Sequence, residues 1–145
     1  MSEGRSVAEC VGLLFENDRF ARESGIRIVE VRPGYGRTQM DVEARHLNAV
    51  GIVQGGAIFT LADLAFALAC NSNGTMAVGC QADISWLKAV RSGRLTAIAE
   101  EVSRTRSIST CLIRILDERE ELVAIFKGVA YIKGTPLDLQ SPDRS

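Results

Sequence analysis

Apolar and polar residues follow one another along this chain in periods that predict two helices and six strands. Close to the N-terminus, Ser6 and Glu9 form a capping-box pattern, and apolar residues recur after it at helical spacing as far as about Asn17. The stretch "GIRIVEV" then predicts a strand and "RPGYG" a turn. In "RTQMDVEA" apolar and polar residues alternate, which is typical of a half-buried antiparallel strand.

A long apolar stretch, "GGAIFTLADLAFALACN", runs from Gly55 to Asn71. The loop "RHLNAVGIV" precedes it, and "NSNG" supplies a stop signal for a helix. Apolar residues occur on every side of the predicted helix, so we expect the rest of the protein to enclose it. A transmembrane helix is disfavoured, because the apolar run is shorter than the ~20 residues required and contains Asp63.

Four further strands are predicted after this helix, in "MAVGCQADISWL", "RLTAIAEEVSR", "SISTCLIRIL" and "LVAIFKGVAYIK". The order α-β-β-α-β-β-β-β, with strands joined by short turns, indicates an antiparallel sheet and an α+β protein. A sheet that curls around one central helix would enclose that helix. We predict a single domain over residues 1–134 and a polar, frayed tail over residues 135–145.

Composition and charge narrow the range of partners. The 145 residues are enough for one domain with a hydrophobic core. A net charge of −1 without a basic block gives no reason to expect nucleic acid or an anionic membrane as a partner. The start "MSEGRSVAEC" lacks the apolar region of a secretory signal. The four cysteines are widely spaced, so we predict reduced, mostly buried thiols in a cytoplasmic protein.

Two residue types occur once, and neither indicates a metal site. His46 is the only histidine, and no Cys/His cluster has the spacing of zinc ligands, so we expect no metal. We expect His46 to be exposed in a loop rather than catalytic. Counting residues leaves a nucleophilic cysteine–histidine pair open, although no local pattern supports one. The single tryptophan, Trp86, lies in a predicted strand, where we expect a core or interface role.

Two glycines stand where the central helix begins. A helix N-terminus presents unpaired backbone N–H groups and the positive end of the helix dipole, and glycine lets a ligand approach the backbone closely. Gly55 and Gly56 therefore suit the polarisation of a carbonyl oxygen, as in an oxyanion hole. The alternative is a structural role, as a tight entry into a buried helix.

Asp63 is the one charged residue inside the predicted helix. It is a candidate for acid–base chemistry, and the alternative is a structural acid hydrogen-bonded to a backbone group or an arginine. Asp63 follows Gly55 by eight residues, which separates them by roughly 12 Å along a helix that rises ~1.5 Å per residue. One carbonyl cannot touch both groups of one chain. If both act on one substrate, a second subunit must supply one of them.

The stretch "HLNAVGIVQGGAIFTLADLAFALACNSNG" resembles the active-site loop and helix of the hotdog-fold acyl-CoA thioesterases, and among them the phenylacetate-degradation (PaaI-type) branch. The similarity runs from about Ala8 to Ile132. The resemblance implies a hotdog fold, an antiparallel sheet wrapped around a long central helix. It implies hydrolysis of acyl- or aryl-CoA thioesters, of phenylacetyl-CoA or hydroxylated aryl-CoA type, without a cofactor. It also implies homodimers with shared active sites that pair into homotetramers.

The resemblance implies a role for each matching residue. Asp63 matches the catalytic carboxylate, which acts as nucleophile or as general base on water. The backbone N–H of Gly55 matches the group that polarises the thioester carbonyl, and Gly56 supports the helix entry beside the substrate. Asn48 matches a polar residue that helps to place the water or the substrate. In the family these groups meet across a dimer interface.

One departure from the family pattern lies directly before the glycines. The family has histidine where this chain has Gln54, whose amide can donate a hydrogen bond but cannot take up a proton, so we assign Gln54 an orienting role. Further along, the turn "SRTRSIS" offers Arg104, Arg106 and Ser107 as contacts for coenzyme A phosphates. Solvated charges on a hairpin are the alternative reading of that turn.

Two other functions stay open from the sequence. A non-catalytic acyl-CoA binding or sensing protein would share the fold, and the departure at Gln54 is the feature that favours it. A hotdog dehydratase would act on hydroxyacyl thioesters. That chemistry generally uses a histidine with an acid, and no histidine is close to the helix in sequence.

Overall fold

Helices and strands follow one another in the order of an α+β protein. The computed structural model describes residues 4–139 of the 145-residue chain. Its helices are α1 (Val7–Phe15), α2 (Arg19–Glu23) and α3 (Gly55–Asn71), with a short 3-10 turn at Ala44–His46. Its strands are β1 (Ile26–Arg32), β2 (Tyr35–Asp41), β3 (Thr75–Trp86), β4 (Arg94–Arg104), β5 (Ile108–Leu116) and β6 (Leu122–Pro136).

The strands form one sheet in the order β1-β2-β4-β5-β6-β3, and each neighbouring pair is antiparallel. Helix α3 lies against one face of this sheet and contacts all six strands. The predicted α+β class and the central helix are therefore confirmed. The sheet buries α3 because alternate side chains of each strand point towards it.

The core between α3 and the sheet is closely packed. Leu61 and Leu68 of α3 are fully buried, as is Phe126 of β6. The ring of Phe66 lies so close to β6 that a Cβ atom at Gly128 would stand 2.8 Å from it. A glycine at that position therefore lets the helix approach the sheet.

The N-terminal helices differ in how well the sequence predicts them. The Ser6 hydroxyl accepts a hydrogen bond from the Glu9 N–H at 3.1 Å, so the predicted cap of α1 is present. Helix α2 was not predicted. It has five residues and begins where Asp18 accepts a hydrogen bond from the Ala21 N–H at 3.0 Å. A helix this short has too few turns to show an apolar period.

The two edge strands of the sheet, β1 and β3, differ in what packs against them. Helices α1 and α2 pack against the edge strand β1. Among residues 4–139, β3 pairs only with β6, so its other edge is open along the twelve residues of the strand. The strand contains one charged residue, Asp83, and no proline or lysine that would protect such an edge. Val78 and Trp86 of this strand are exposed in the single chain.

The position of His46 corrects an expectation. The sequence suggested an exposed loop histidine, whereas the side chain is buried at 5 % exposure. Its Nδ1 accepts a hydrogen bond from the Glu43 N–H at 2.9 Å, and its Nε2 lies 2.7 Å from the Ser24 carbonyl oxygen. Both ring nitrogens therefore hold the loop before α3, which leaves neither for catalysis.

The end of the described chain extends past the predicted domain boundary at residue 134. β6 continues to Pro136, and the Leu137 N–H donates to the Gly74 carbonyl oxygen at 2.7 Å. Residues 140–145 of the predicted tail lie outside the described residues. Within residues 4–139, no helix has the length and apolarity needed to cross a bilayer. The four cysteines form no disulfide, and three of them are buried, as predicted.

Candidate active site

The loop before α3 fixes where the helix begins. Leu47 and Val53 form an antiparallel bridge across the loop. The Gln54 N–H donates to the His46 carbonyl oxygen at 2.8 Å, and the Val53 N–H donates to the Val90 carbonyl oxygen at the same distance. Because backbone groups on both sides anchor the loop, the first turn of α3 starts from a defined position.

The peptide group that joins Gly55 to Gly56 is held at both of its polar atoms. The Gln54 Oε1 atom accepts a hydrogen bond from the Gly56 N–H at 2.6 Å. The Trp86 Nε1 atom donates to the Gly55 carbonyl oxygen at 3.3 Å. One side chain therefore caps the helix while another contacts its first carbonyl.

These two contacts explain why both positions are glycine. A Cβ atom at Gly55 would lie 3.0 Å from the Trp86 ring, and one at Gly56 would lie 2.5 Å from the Gln54 Oε1 atom. Both distances are shorter than ordinary van der Waals contacts. A side chain at either position would therefore displace the Trp86 ring or the Gln54 amide from the start of α3.

The Gly55 N–H is left as a donor. Because Gly55 is the first residue of α3, its N–H has no partner inside the helix. Among residues 4–139 this N–H has no other acceptor either. The dipole of the 17-residue helix places partial positive charge at the same point. This end of the helix can therefore stabilise a carbonyl oxygen that gains negative charge.

Asn48 lies in the same loop and organises it. Its Oδ1 atom accepts hydrogen bonds from the Val50 N–H at 3.0 Å and the Ile52 N–H at 3.2 Å. The side-chain oxygen is therefore used inside the loop. The Nδ2 group has no acceptor in the described part of the chain and is the group that a substrate or water could use.

Asp63 lines a cleft of about 420 Å³ beside the second half of α3. The cleft is bounded by α3, by the end of α1 and by the first residues of β3. Its lining is mostly apolar and includes Phe15, Phe66, Ala67, Met76, Val78 and Leu137. A ligand whose apolar part occupies this cleft would have its polar part beside the Asp63 carboxylate.

The Asp63 carboxylate is not a structural acid of the kind that the sequence left open. No hydrogen bond or ion pair engages it among residues 4–139. Asp63 is exposed to water in the single chain. The surrounding protein nevertheless removes part of the water around its carboxyl, and this burial raises the pKa of Asp63. The negative charge of Asp18 raises that pKa further. An unpaired carboxylate with a raised pKa is a stronger proton acceptor than an ordinary aspartate.

The predicted coenzyme A contacts lie in the turn between β4 and β5, near the end of α3. Arg104 donates to the Cys70 carbonyl oxygen at 3.2 Å and to Glu101 Oε2 at 2.9 Å, so its guanidinium is engaged within the chain. Cys70 also lines the Asp63 cleft, which places the turn next to it. Arg106 and Ser107 are exposed, and no side-chain hydrogen bond or ion pair of Arg106 occurs in residues 4–139.

Two of the buried cysteines, Cys70 and Cys111, do not supply a nucleophile. Burial raises the pKa of the Cys70 thiol to about 12 and that of the Cys111 thiol to about 11. Both are therefore protonated at neutral pH, and the thiolate is the reactive form. Since both nitrogens of His46 are engaged as well, a cysteine–histidine pair is not formed.

The predicted site residues fall into two groups. Asn48, Gln54, Gly55 and Gly56 lie together at the start of α3. Asp63, Arg104, Arg106 and Ser107 lie further along the helix and at the turn beside its end. Eight residues separate Gly55 from Asp63 on one straight helix, a rise of roughly 12 Å. Within one chain the two groups therefore do not meet.

The sequence profile of the thioesterase superfamily matches residues 50–124, which span the start of α3, its carboxylate and the strands that follow. The chain belongs to this superfamily. The predicted family and the predicted class of enzyme, a thioesterase, are therefore confirmed.

Relatives of this thioesterase agree with that assignment. Acyl-coenzyme A thioesterase PaaI of Escherichia coli is 36% identical over 124 residues, which cover 84% of this chain and 89% of PaaI. Its structure superposes with a TM-score of 0.85 at 31% identity and covers 92% of this chain and all of that one. The predicted hotdog fold is confirmed by this match.

Two further relatives extend the comparison. A relative in Archaeoglobus fulgidus is 39% identical over 119 residues, which cover 81% of this chain and 77% of that protein. The crystal structure of smu.793 from Streptococcus mutans bound to acetyl CoA has a TM-score of 0.73 at 25% identity, with 77% of this chain and 90% of that one covered. A protein with this fold thus holds a coenzyme A ester.

Some residues of the candidate site were not predicted from the sequence. Trp86 was expected in a core or interface role, and its contact with Gly55 had no signal in the local pattern. Phe15 and Leu137 line the same cleft as Asp63, although they are far from it in the sequence. Contacts between such distant positions cannot be read from a periodic pattern.

Proposed function

We propose that this thioesterase hydrolyses acyl-CoA thioesters, of phenylacetyl-CoA or hydroxylated aryl-CoA type, to the free acid and coenzyme A. The observation that carries the proposal is the pair of unsatisfied groups, the Gly55 N–H at the helix start and the Asp63 carboxylate in its apolar cleft. One is suited to hold an oxyanion, and the other to activate water or attack the carbonyl.

The reaction is a hydrolysis in which the Gly55 N–H of one subunit and the Asp63 carboxylate of its partner act on the same thioester. The N–H donates to the carbonyl oxygen and stabilises its negative charge as the tetrahedral intermediate forms. As general base, Asp63 takes a proton from water while the water oxygen bonds to the carbonyl carbon. As nucleophile, it forms an acyl-enzyme anhydride that water then cleaves. In both routes the C–S bond breaks and the sulfur leaves as a thiolate that takes up a proton, from the protonated Asp63 in the first route and from solvent in the second. Neither a metal nor a redox cofactor is required.

The open edge of β3 supports the shared site. A strand that pairs with its own copy about a two-fold axis runs antiparallel to it, so the start of one strand meets the end of the other. The start of β3 borders the Asp63 cleft at Met76 and Gly79, and its end carries Trp86 against Gly55. Pairing of β3 with its copy therefore brings the Asp63 of one subunit towards the Gly55 of the other.

We also propose that two such dimers form a homotetramer. Leu112, Ile125 and Tyr131 lie on the sheet face that is turned away from α3, and each is more than 40 % exposed. Exposed apolar residues that cluster on one face favour association. Size-exclusion chromatography with light scattering measures the mass directly, and a fully active monomer would contradict the shared site.

The cleft supports an apolar acyl group, because Phe15 and Phe66 are among its lining residues. The similarity to a PaaI protein from a phenylacetic acid degradation operon supports an aryl group in particular. For coenzyme A, Arg106 is the proposed phosphate contact, with Ser107 beside it, while Arg104 holds the turn against α3. Four free cysteines support action in a reducing compartment such as the cytoplasm.

The test is thiol release from a panel of coenzyme A thioesters that includes phenylacetyl, hydroxyphenylacetyl, benzoyl, acetyl and decanoyl groups. We expect the aryl esters to react fastest, and Asp63→Asn and Gly55→Pro to lose turnover. Isothermal titration with the same esters separates the alternative function. Tight binding by the wild-type protein without release of thiol from any ester would replace the hydrolase with a non-catalytic acyl-CoA binding protein.

A further inference from the structure

Trp86 contacts the start of α3 but takes no part in the reaction written above. Its ring lies against Gly55, where a Cβ atom would meet it at 3.0 Å, and its Nε1 donates to the Gly55 carbonyl oxygen at 3.3 Å. The side chain is nevertheless 53% exposed. One part of the indole therefore packs on the helix start while the remainder faces solvent at the open edge of the sheet.

We infer that Trp86 positions the Gly55 N–H and also forms a wall of the subsite that takes an aromatic acyl group. The inference rests on the proposed function, because it assigns Trp86 a role in the same site. Trp86 would be a positioning and specificity residue, in addition to Asp63, the start of α3 and the coenzyme A turn.

The positioning role follows from the chemistry of glycine. Glycine has no side chain that could anchor it to its surroundings, so contacts made by neighbouring residues decide where the start of α3 lies. The neighbouring peptide group is instead fixed on two sides, by the Gln54 Oε1 atom at 2.6 Å and by the Trp86 Nε1 atom at 3.3 Å. The peptide group that carries the Gly55 N–H is itself held by the helix, because the Gln54 carbonyl oxygen accepts from the Ala57 N–H at 2.9 Å. Losing the Trp86 contact therefore lets the whole first turn of α3 shift relative to the end of β3, and the Gly55 N–H shifts with it.

The role as a wall follows from the place of Trp86 at the end of β3. Antiparallel pairing of β3 with its copy sets this end opposite the partner's Asp63 cleft, whose lining is mostly apolar. The solvent-facing part of the indole then lies beside the acyl group that enters that cleft. Aromatic rings prefer offset or edge-to-face contacts with one another, so an indole wall favours aryl over straight-chain acyl groups.

Two substitutions separate the two roles. Trp86→Phe keeps an aromatic wall but removes the donor to Gly55, and the loss of one neutral hydrogen bond predicts a roughly three- to tenfold lower kcat with little change in KM. Trp86→Ala removes donor and wall, so we expect kcat/KM for phenylacetyl-CoA to fall by about 10²-fold and the preference for aryl esters to disappear. Phe20→Ala removes a more exposed aromatic ring on α2 and should leave both quantities unchanged.

The single tryptophan also gives a readout that does not depend on turnover. In the inactive Asp63→Asn protein, we expect a saturable shift of the Trp86 emission to shorter wavelength as phenylacetyl-CoA is added, and a smaller shift with coenzyme A alone. Thermal unfolding and light scattering establish that each variant folds and associates. If Trp86→Ala fails to fold, Trp86→Phe and the emission titration decide.

The possible outcomes separate this inference from the proposed function. Emission that shifts with acyl-CoA in a protein that hydrolyses no thioester supports the wall and overturns the hydrolase. Hydrolysis that is unchanged in kcat, KM and aryl preference in folded Trp86→Phe and Trp86→Ala proteins overturns the inference and leaves the hydrolase standing. Emission that stays constant while calorimetry shows saturation with phenylacetyl-CoA overturns the wall.

Discussion

The two ends of α3 differ in how their terminal backbone groups are hydrogen-bonded. At the C-terminal end, side chains satisfy the last carbonyl groups: Asn71 donates to Ala67 at 2.8 Å, Ser72 to Ala69 at 2.9 Å, and Arg104 to Cys70 at 3.2 Å. At the N-terminal end, the Gly56 N–H is capped while the Gly55 N–H has no acceptor in residues 4–139. The contacts at the C-terminal end therefore stabilise the helix, whereas the Gly55 N–H at the N-terminal end stays available to a ligand.

The largest expected effect is on Asp63. Asp63→Asn keeps the shape of the side chain but removes the proton acceptor, so kcat should fall by about 10²- to 10⁴-fold. Its melting temperature at neutral pH should rise, because a carboxyl whose pKa is raised in the folded state destabilises the fold when ionised. Thiol release and differential scanning calorimetry measure the two effects. Wild-type turnover in this variant would show that Asp63 is not the catalytic carboxylate.

The pH profile of the wild-type protein checks the same group. Burial and Asp18 raise the pKa of the Asp63 carboxyl, so the active carboxylate is lost at a higher pH than for an ordinary aspartate. The acid limb of kcat/KM should therefore lie above pH ~4, the usual range of this side chain. Asp18→Asn should move the limb towards lower pH, and a limb that stays in place would exclude the contribution of Asp18.

The next effect concerns the donor at the other end of the site. Gly55→Pro removes the N–H at a helix position that tolerates proline, and the loss of one oxyanion donor predicts a roughly 10²- to 10³-fold lower kcat. Gly55→Ala keeps the N–H but adds a Cβ atom 3.0 Å from the Trp86 ring, so we expect a smaller loss. Equal activity in both variants would mean that crowding, and not the N–H, accounts for the glycine.

The capped end of the helix should affect stability and not catalysis. The Ser72 hydroxyl donates to Ala69 and accepts from the Gly34 N–H at 2.8 Å, and it is buried. Ser72→Ala leaves that N–H unpaired, so the free energy of unfolding should fall by about 1–3 kcal/mol with kcat/KM unchanged below the melting temperature. The exposed Ser92→Ala is the matched control. A loss of catalysis at constant stability would remove the distinction between the two ends.

The smallest effect is expected at the coenzyme A turn. Arg106→Ala should raise KM for coenzyme A esters a few-fold, more at low than at high salt, because an exposed arginine contributes a screened contact to phosphate. Arg119→Ala removes a comparable exposed charge from the turn between β5 and β6 and should not change KM. Salt-dependent kinetics decide the point, and equal KM values for both variants would leave Arg106 a solvated surface charge.

The elements of the fold follow from local patterns, and the site follows from them only in part. The alternation of β5 and the apolar run of α3 are visible in the sequence because each reflects one buried face. The number of residues between Gly55 and Asp63 likewise predicts that the two groups lie apart on one helix. What the pattern does not contain is the long-range contacts: the burial of His46, or the placement of Trp86 on Gly55. Those depend on how distant segments meet, which no short window records.

The exchange of subunits between two inactive proteins tests the shared site most directly. Asp63→Asn and Gly55→Pro subunits, unfolded together and refolded as a mixture, form heterodimers in which one of the two sites has both native groups. Because random pairing makes half of the dimers mixed, we predict recovery of about a quarter of the wild-type activity. Each variant refolded alone should stay inactive. A mixture of confirmed heterodimers that is no more active than the separate variants would contradict a site built from two subunits.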